Sequence, residues 1–101
     1  MEAFTQSVVA IIKRIPPGKV CTYGAVALMA GRSNGARQVS RILHSMSRKH
    51  HLPWHRIINA KGHISLPKAR GYEEQKALLQ GEGVEFDEND RIDLKRFLWT
   101  E

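Results

Sequence analysis

Few side chains in this sequence have the types and spacing that covalent or metal chemistry requires. Cys21 is the only thiol, so neither an internal disulfide nor a metal site built on cysteines can form. The five histidines have no spacing typical of metal ligands, and we expect no metal and no cofactor. The segment Pro53-Trp54-His55-Arg56 places an indole beside an imidazole and a guanidinium. Indole has no thiol and no lone pair ready for displacement, which favours binding over group transfer at this segment.

A second group of side chains is defined by its spacing along one predicted helix, residues 36–48. At about 100° per residue its basic members fall within a stripe roughly 60° wide. We call them the basic stripe: Arg37, Arg41, His44 and Arg48. The opposite face is apolar and consists of Val39, Ile42, Leu43 and Met46. A line of cations on an exposed helix face suits phosphate groups, although a solvated face without a ligand has the same pattern.

The bulk composition limits the classes of protein to consider. The chain has 101 residues, which predicts one domain spanning residues 1–101, and a formal net charge of +6 that favours a polyanionic partner. No apolar run reaches the length of a membrane span, and the N-terminus does not have the pattern of a signal peptide. The lone cysteine favours an intracellular, cytoplasmic setting, and we expect a monomer that does not bind membranes.

The first half of the chain is predicted to form three helices. Apolar residues from Phe4 to Ile15 recur at helical spacing, and Pro16-Pro17-Gly18 ends that helix. Thr22 is a candidate N-cap for a short helix over residues 23–30, which Gly31 ends. A tight polar turn then leads to the helix of the basic stripe, which is followed by a loop over residues 49–53.

The second half predicts a β-hairpin, one helix and a tail that packs on the core. Two strands joined by a turn at residues 59–62 are predicted, at His55–Ile58 and His63–Leu66. A helix is predicted over residues 71–81, and its inward side chains are Tyr72, Leu78 and Leu79. A short helix, a turn, a basic helix and a hairpin follow the order of a winged helix-turn-helix. The predicted fold class is therefore mainly α with a small β-hairpin wing, a DNA-binding architecture.

Four segments resemble one known family in order and spacing. Pro53-Trp54-His55-Arg56-Ile57-Ile58 is similar to the Pro-Cys-His-Arg active-site motif of the O6-alkylguanine-DNA alkyltransferases. Ile15–Gly24 resembles the family's Ile-Pro-x-Gly-x-Val and Thr/Ser-Tyr-Gly stretch, and Gly35–Val39 resembles its Ala-Arg-x-Val stretch. Gln75–Val84 resembles the segment that carries the family's catalytic glutamate. Trp54 stands where these enzymes have the acceptor cysteine, as in the alkyltransferase-like branch that recognises the lesion without transferring the alkyl group.

The resemblance implies a role for each matching residue. Arg37 is expected to be the arginine finger that fills the gap left by a flipped nucleotide, and Tyr23 to press on the neighbouring phosphate. His55 and Glu82 match the pair that activates the acceptor cysteine in the enzymes. In this chain the cysteine is absent from the motif, so the pair is expected to remain as a relay that activates no nucleophile. We expect a lesion pocket formed by Trp54, Tyr23, Pro53 and His55, and DNA contacts from Thr22, Tyr23, Ala36, Arg37, Gln38, Arg41 and Arg56.

The implied activity is non-enzymatic recognition of O6-alkylguanine in double-stranded DNA by nucleotide flipping. A base that lies inside a duplex can reach a pocket only when it is flipped out, and an indole offers the flipped purine a stacking surface. Partner proteins from nucleotide excision repair follow from the resemblance alone. Two alternatives stay open: an active alkyltransferase with another acceptor, for which Cys21 is a poor candidate, and a winged-helix transcription regulator.

Three departures from the family pattern affect the expected site. Met46 falls where the enzymes usually have an asparagine that orients the active-site loop, and Lys49-His50-His51 replaces a more apolar approach to Pro53. Pro67-Lys68-Ala69 replaces a serine-glycine stretch that contacts the O6 substituent in the family. The range of alkyl groups therefore does not follow from the sequence.

Overall fold

Five helices and two very short strands make up the protein, described for residues 1–101 in a computed structural model. The helices are α1 (Ala3–Arg14), α2 (Tyr23–Met29), α3 (Ala36–His50), α4 (Tyr72–Gly81) and α5 (Leu94–Phe97). The strands are β1 (Cys21–Thr22) and β2 (Ile57–Ile58), and 3-10 turns cover Trp54–Arg56 and Lys68–Arg70. The predicted mainly helical class is confirmed. No helix combines the length and apolar character needed to cross a membrane.

The strand pairing differs from the predicted hairpin. The turn at residues 59–62 does form, with Gly62 N–H donating to the Asn59 carbonyl at 3.0 Å and the Asn59 side chain accepting from the His63 amide at 3.0 Å. The following residues 63–66 form no strand, so the prediction of a β-hairpin wing was wrong in its pairing. Instead β2 pairs in parallel with β1, in the register Cys21 to Ile57 and Thr22 to Ile58.

The reason for this pairing is burial. The segment that provides β1 is fully buried, with Val20 and Cys21 both 0 % exposed, and it offers β2 a partner inside the molecule. After the turn, the chain is held by the C-terminal tail, because Ile92 N–H donates to the Gly62 carbonyl at 2.8 Å. The buried strand β2 therefore pairs inside the molecule, and the 63–66 segment runs along the C-terminal core, in which Ile64 is buried.

The small sheet separates two apolar cores. Cys21 and Ile57 belong to the N-terminal core, formed with α1, α2 and α3, whereas Val20 and Ile58 belong to the C-terminal core, formed with α4 and the tail. Successive residues of an extended chain point to opposite faces, so Val20 and Cys21 on one side, and Ile57 and Ile58 on the other, divide between the two cores. The predicted packing of the tail against the core is confirmed, because residues of the tail complete the second core: Val84, Ile92 and Phe97.

Helix ends follow the local sequence where caps were predicted. The Thr22 hydroxyl accepts from the Ala25 amide at 3.0 Å, and Gly31 has a φ of 98°, which confirms the predicted cap and stop of α2. α3 extends to His50, two residues beyond the predicted end.

In α4 the predicted inward position of Leu78 was wrong, since it is 41 % exposed. Its place on the buried face is taken by Gln75, at helical spacing from Tyr72 and Leu79.

A partly buried ion-pair network joins three distant segments. Arg56 Nη2 lies 2.7 Å from Glu82 Oε2, and Arg56 Nη1 donates to the Ile15 carbonyl at 2.9 Å. Glu82 also accepts from the Gly18 amide at 3.2 Å and contacts His55 Nε2 at 2.8 Å. The network thus connects the end of α1, the 3-10 turn before β2 and the C-cap of α4.

Glu82 is held in its ionised form by these donors. Partial burial alone raises the pKa of a carboxyl group, but here the hydrogen bonds from Arg56, His55 and the Gly18 amide outweigh burial and lower the pKa of Glu82 from 4.5 to about 2. Because the folded pKa lies below the unfolded one, ionised Glu82 contributes stability that is fully present above about pH 4.5. That contribution is lost as the pH falls towards about 2.

We predict that Glu82→Gln lowers the free energy of unfolding at pH 7 by roughly 3 kcal/mol, because Arg56 loses its anionic partner. Urea titrations followed by circular dichroism between pH 7 and pH 2.5 will measure the effect. The difference between parent and variant should shrink steadily below about pH 4.5. The matched control is Glu85→Gln, whose carboxylate pairs with Arg96 at the exposed surface and should contribute less than about 1 kcal/mol. A parent–variant difference that stays constant with pH contradicts this account of Glu82.

Candidate nucleic-acid interface and lesion cleft

An open cleft of about 890 Å³ lies between the C-terminal half of α3, the segment around Trp54 and the first turn of α4. Its volume falls in the range of small-molecule sites, which is enough for one purine and a substituent. Apolar side chains form part of its wall: Leu43, Leu52, Trp54, Ile57 and Leu66. Polar side chains complete the lining: Tyr23, Ser40, His44, Ser47, Arg48, His51, Glu74 and Gln75. A cleft with an apolar wall and a few converging polar groups is typical of a binding site.

Trp54 is positioned by the 3-10 turn in which it lies and by a buried glutamine. Gln75, 2 % exposed, donates from Nε2 to the carbonyls of His55 and Ile57, each at 3.0 Å. These bonds hold the chain on both sides of Arg56 against α4, while the indole packs partly on the N-terminal core. No role for Gln75 was predicted from the sequence. The sequence indicates an inward role for Gln75 only by its spacing, which puts this polar residue on the same helical face as Tyr72 and Leu79.

The predicted His55–Glu82 pair is brought together, although 27 residues separate its members. The carboxylate is ionised at neutral pH and can only accept, so His55 Nε2 donates in this bond. The Trp54 and His55 rings meet edge to face, with centroids 6.0 Å apart and planes at 84°. The pair therefore has the geometry of an acid–base relay, but its neighbour is an indole instead of a thiol.

Of the four residues predicted for the pocket, two line the cleft. Tyr23 and Trp54 lie in its wall, whereas Pro53 and His55 are not among the lining residues. Tyr23 starts α2, directly after the Thr22 cap, and its hydroxyl lies 2.9 Å from the Ser65 hydroxyl. That contact joins α2 to the segment after the 59–62 turn. Ser65 could not be predicted from the sequence, because it belongs to no motif.

The first turn of α3 presents its side chains to solvent. Gly35 provides no side-chain cap, so the amides of this turn stay open to an anion. Arg37 is exposed and makes no ion pair. The Gln38 amide oxygen accepts from Arg32 Nη1 at 2.9 Å, and the Arg32 guanidinium lies 4.2 Å from the centre of the Phe4 ring. Ala36 and Gln38 lie beside Arg37 at the same exposed turn.

The structure divides the basic stripe. Arg37 and Arg41 lie on the exposed face outside the cleft, whereas His44 and Arg48, one and two turns further along, line it.

Arg56, also predicted to contact DNA, has a different environment. Its side chain is 15 % exposed, and three of its guanidinium nitrogens donate to Glu82 and the Ile15 carbonyl. These bonds give Arg56 a part in positioning the Trp54 segment, and its contact with DNA stays a prediction.

Cys21 lies in β1, fully buried. Burial raises the pKa of its thiol to about 11, and a hydrogen bond with the Thr22 backbone offsets only part of this effect. A nucleophilic cysteine requires the opposite, a lowered pKa and access to the substrate. The thiol of Cys21 is therefore a packing group of the N-terminal core.

Comparison with known proteins identifies relatives over the whole chain. Residues 3–84 match the family model of the 6-O-methylguanine DNA methyltransferase DNA-binding domain. A DNA base-flipping protein of Vibrio parahaemolyticus is 42 % identical over 99 residues, which cover 98 % of both chains. Alkyltransferase-like protein 1 of Schizosaccharomyces pombe is 36 % identical over 104 residues, covering 98 % of this chain and 96 % of the relative.

Solved structures agree with this relationship. The S. pombe protein in complex with damaged DNA containing O6-carboxymethylguanine superimposes with a TM-score of 0.86 at 35 % identity, covering 100 % of this chain and 98 % of the other. The O6-methylguanine methyltransferase of Mycobacterium tuberculosis gives a TM-score of 0.63 at 28 % identity, with 81 % of this chain matching 49 % of the enzyme. The shared fold and the match over residues 3–84 place the chain in the family of the 6-O-methylguanine DNA methyltransferase DNA-binding domain.

Proposed function

We propose that this protein is a non-enzymatic sensor of O6-alkylguanine in double-stranded DNA, which flips the alkylated nucleotide into the cleft and marks it for nucleotide excision repair. The observation that carries the proposal is Trp54. It lies in the wall of the cleft, and in the family motif its position belongs to the acceptor cysteine. The names of two relatives, a base-flipping protein and an alkyltransferase-like protein, support the same function.

The cleft suits a flipped base for physical reasons. The O6 atom of guanine is enclosed in a duplex, and only an extrahelical base can enter a pocket of about 890 Å³. The Trp54 indole offers a π-surface to the purine, and stacking of one base on an aromatic ring contributes about 1–3 kcal/mol. Leu43 and Ile57 supply apolar contacts beside it.

We assign stabilisation of the flipped state to Arg37, which lies outside the cleft, and to Tyr23, which lies in its wall. The Arg37 guanidinium is planar, cationic and unpaired, as a group that fills the vacated stack must be. Tyr23 lines the cleft, and the family resemblance supports its proposed role of pressing on the phosphate beside the lesion. Thr22, Ala36, Gln38 and Arg41 complete the DNA contacts that we propose, with the open amides of the α3 N-terminus directed at the backbone.

The absence of transfer follows from the same site. His55 and Glu82 form a relay, but the indole next to it cannot displace an alkyl group. Cys21 is buried, and its raised pKa disfavours the thiolate. Since the lesion stays intact, it must leave DNA by another route. We infer hand-over to nucleotide excision repair proteins on this ground and on the family resemblance.

The decisive experiment is binding to matched duplexes that carry guanine or O6-methylguanine at one position. Preference for the alkylated duplex supports the proposal. Equal binding to both, together with tight binding to one undamaged sequence, overturns it in favour of a transcription regulator.

We predict that incubation with duplex containing O6-methylguanine leaves the mass of the intact protein unchanged and the lesion whole. The reason is that no accessible thiolate exists at the cleft. Mass spectrometry of the protein and nucleoside analysis of the DNA measure both partners of the reaction. A gain of one methyl group on the protein identifies an active alkyltransferase and contradicts the sensor.

We predict that Arg37→Ala abolishes most lesion binding, because unstacking a base costs a few kcal/mol and the variant lacks the group that offsets this cost. Trp54→Ala should keep weak, salt-sensitive binding to DNA but lose most of the preference for the alkylated base. A fluorescent base analogue beside the lesion reports the flip. Arg41→Ala is the control for Arg37, since it removes the same side chain one helical turn further along.

The two assignments fail separately. If Arg37→Ala flips the base as well as the parent does, the arginine-finger assignment is wrong. If Trp54→Ala keeps full discrimination between alkylated and normal guanine, the base does not stack on residue 54.

We also predict that DNA affinity falls steeply with salt, since cations of the basic stripe displace counterions from phosphates. Arg41→Ala should weaken damaged and undamaged DNA about equally and reduce the slope of log affinity against log salt by about one. Lys95→Ala, which removes a charge from exposed α5, should leave that slope unchanged. If the affinity of the parent protein for DNA does not depend on salt, this result contradicts the model in which the basic stripe contacts phosphates.

A further inference from the structure

We propose that Ser65 is a positioning residue for Tyr23. Its hydroxyl donates a hydrogen bond to the phenol oxygen and leaves the phenol hydrogen for a phosphate of the bound duplex. This inference rests on the proposed function, in which Tyr23 presses on the phosphate beside the lesion. It adds a residue that belongs to none of the four matching segments and names the atom through which that residue acts.

The first observation is the contact itself. Tyr23 Oη and Ser65 Oγ lie 2.9 Å apart, within the usual range of an O–H···O hydrogen bond. The two residues are 42 positions apart in the sequence, and we call their hydroxyl groups the hydroxyl pair. Tyr23 begins α2, whereas Ser65 lies in the segment after the 59–62 turn. The hydroxyl pair is therefore a tertiary contact between two elements and does not arise from local structure.

The second observation is that both residues of the hydroxyl pair are anchored. Tyr23 directly follows Thr22, whose hydroxyl caps α2, and its ring packs against the N-terminal core. Ser65 directly follows Ile64, which is buried in the C-terminal core. A hydrogen bond between two anchored positions fixes the direction of the phenol before a ligand arrives, and such preorganisation lowers the cost of binding.

The third observation is the place of the hydroxyl pair at the cleft. Tyr23 lines the cleft, and so does Leu66, the residue after Ser65, but Ser65 itself does not. The Ser65 hydroxyl bonds to no other group of the protein. Of the two residues, Tyr23 is thus the one that borders the space for a nucleotide, and the phenol is the group on which Ser65 acts.

The chemistry of hydroxyl groups determines which residue donates when DNA is bound. Each hydroxyl has one hydrogen to donate and lone pairs with which to accept, whereas a phosphate oxygen only accepts. Tyr23 can therefore bond to Ser65 and to a phosphate at the same time only if Ser65 donates to the phenol oxygen. A hydroxyl that accepts one hydrogen bond is also a stronger donor in the next. Ser65 thus directs the phenol hydrogen at the phosphate and strengthens that bond.

The test is a double-mutant cycle of the parent, Ser65→Ala, Tyr23→Phe and the double variant, each with matched duplexes that carry guanine or O6-methylguanine. We expect Ser65→Ala to weaken binding of the alkylated duplex about fivefold, the usual effect of one hydrogen bond. Tyr23→Phe should weaken it at least as much, and the double variant should bind as Tyr23→Phe does. Ser65→Thr, which keeps the hydroxyl, should bind like the parent. Ser7→Ala removes an exposed hydroxyl from α1 and should have no effect.

A second measurement identifies the acceptor on the DNA. A methylphosphonate linkage beside the lesion replaces one phosphate oxygen by a methyl group and removes the charge. Because hydrogen bonds to charged acceptors are the stronger ones, the effect of Ser65→Ala should fall from about fivefold to below about twofold with this duplex. If the effect of Ser65→Ala is as large as with the unmodified linkage, the hydroxyl pair does not serve this phosphate and the proposal is overturned.

The outcomes separate this inference from the proposed function. If the parent prefers the alkylated duplex and Ser65→Ala binds it as tightly, Ser65 has no part in recognition and the sensor stands. If Ser65→Ala weakens binding equally in the Tyr23→Phe background, Ser65 does not act through the phenol and its positioning role is overturned. If the parent does not prefer the alkylated duplex to guanine, the proposed function is wrong, and this inference is wrong with it.

Discussion

The contact between Arg56 and Glu82 sets the geometry on which the rest of the site depends. It draws together the end of α1, the turn that carries Trp54 and the end of α4, which are distant in sequence. Separated charges would be costly in this partly buried position, so each needs the other. The carboxylate is satisfied by three donors and stays ionised. Because Trp54 is only two residues before Arg56, the direction of the indole follows from where this ion pair anchors the chain.

The small sheet has a similar importance despite its size. In β2, Ile57 packs in the N-terminal core and Ile58 in the C-terminal core, and Cys21 of β1 and the preceding Val20 do the same, so this short pairing couples the two cores. β1 precedes Tyr23 and β2 follows Trp54, which places these two aromatic residues in the lining of one cleft. The cleft therefore has rigid elements on its sides, and a site of this kind needs little reorganisation when a base enters.

A pair that serves proton transfer in the enzymes has another use in this chain, if the proposed function holds. His55 and Glu82 keep their hydrogen bond although no thiol is there to activate. The bond completes the network around Glu82 and orients the ring that meets Trp54 edge to face. Binding and catalysis make the same demand on the scaffold, a fixed segment at the cleft wall, and differ in the group that this segment presents. In the function that we propose, an indole at this position takes the place of the nucleophile and offers a stacking surface.

The sequence by itself determined the first four helices and the family, whereas α5 was not predicted because its four residues are too short to show a helical period. Helical periodicity, the Thr22 cap and the Gly31 stop act over a few residues, so α1, α2 and α3 could be predicted, as could the exposed Arg37 and the presence of Trp54 at the motif. The pairing of His55 with Glu82 could be expected only from the resemblance, because no local rule links residues 27 positions apart. The motif did not reveal that Arg56 is internal, since a charged residue beside a predicted DNA site suggests exposure.

Only the tertiary structure decided the features that depend on competition between distant segments. β2 pairs with the buried β1 and not across the 59–62 turn, because burial of both strands between two cores outweighs the local tendency to form a hairpin. Gln75 occupies the buried face of α4 where Leu78 was expected, because the carbonyls beside β2 require a donor there. The division of the basic stripe between an open face and the cleft likewise depends on where the Trp54 segment and the first turn of α4 lie beside α3. Periodicity along one helix specifies which side chains share a face, but what that face meets is set by the segments that pack beside it.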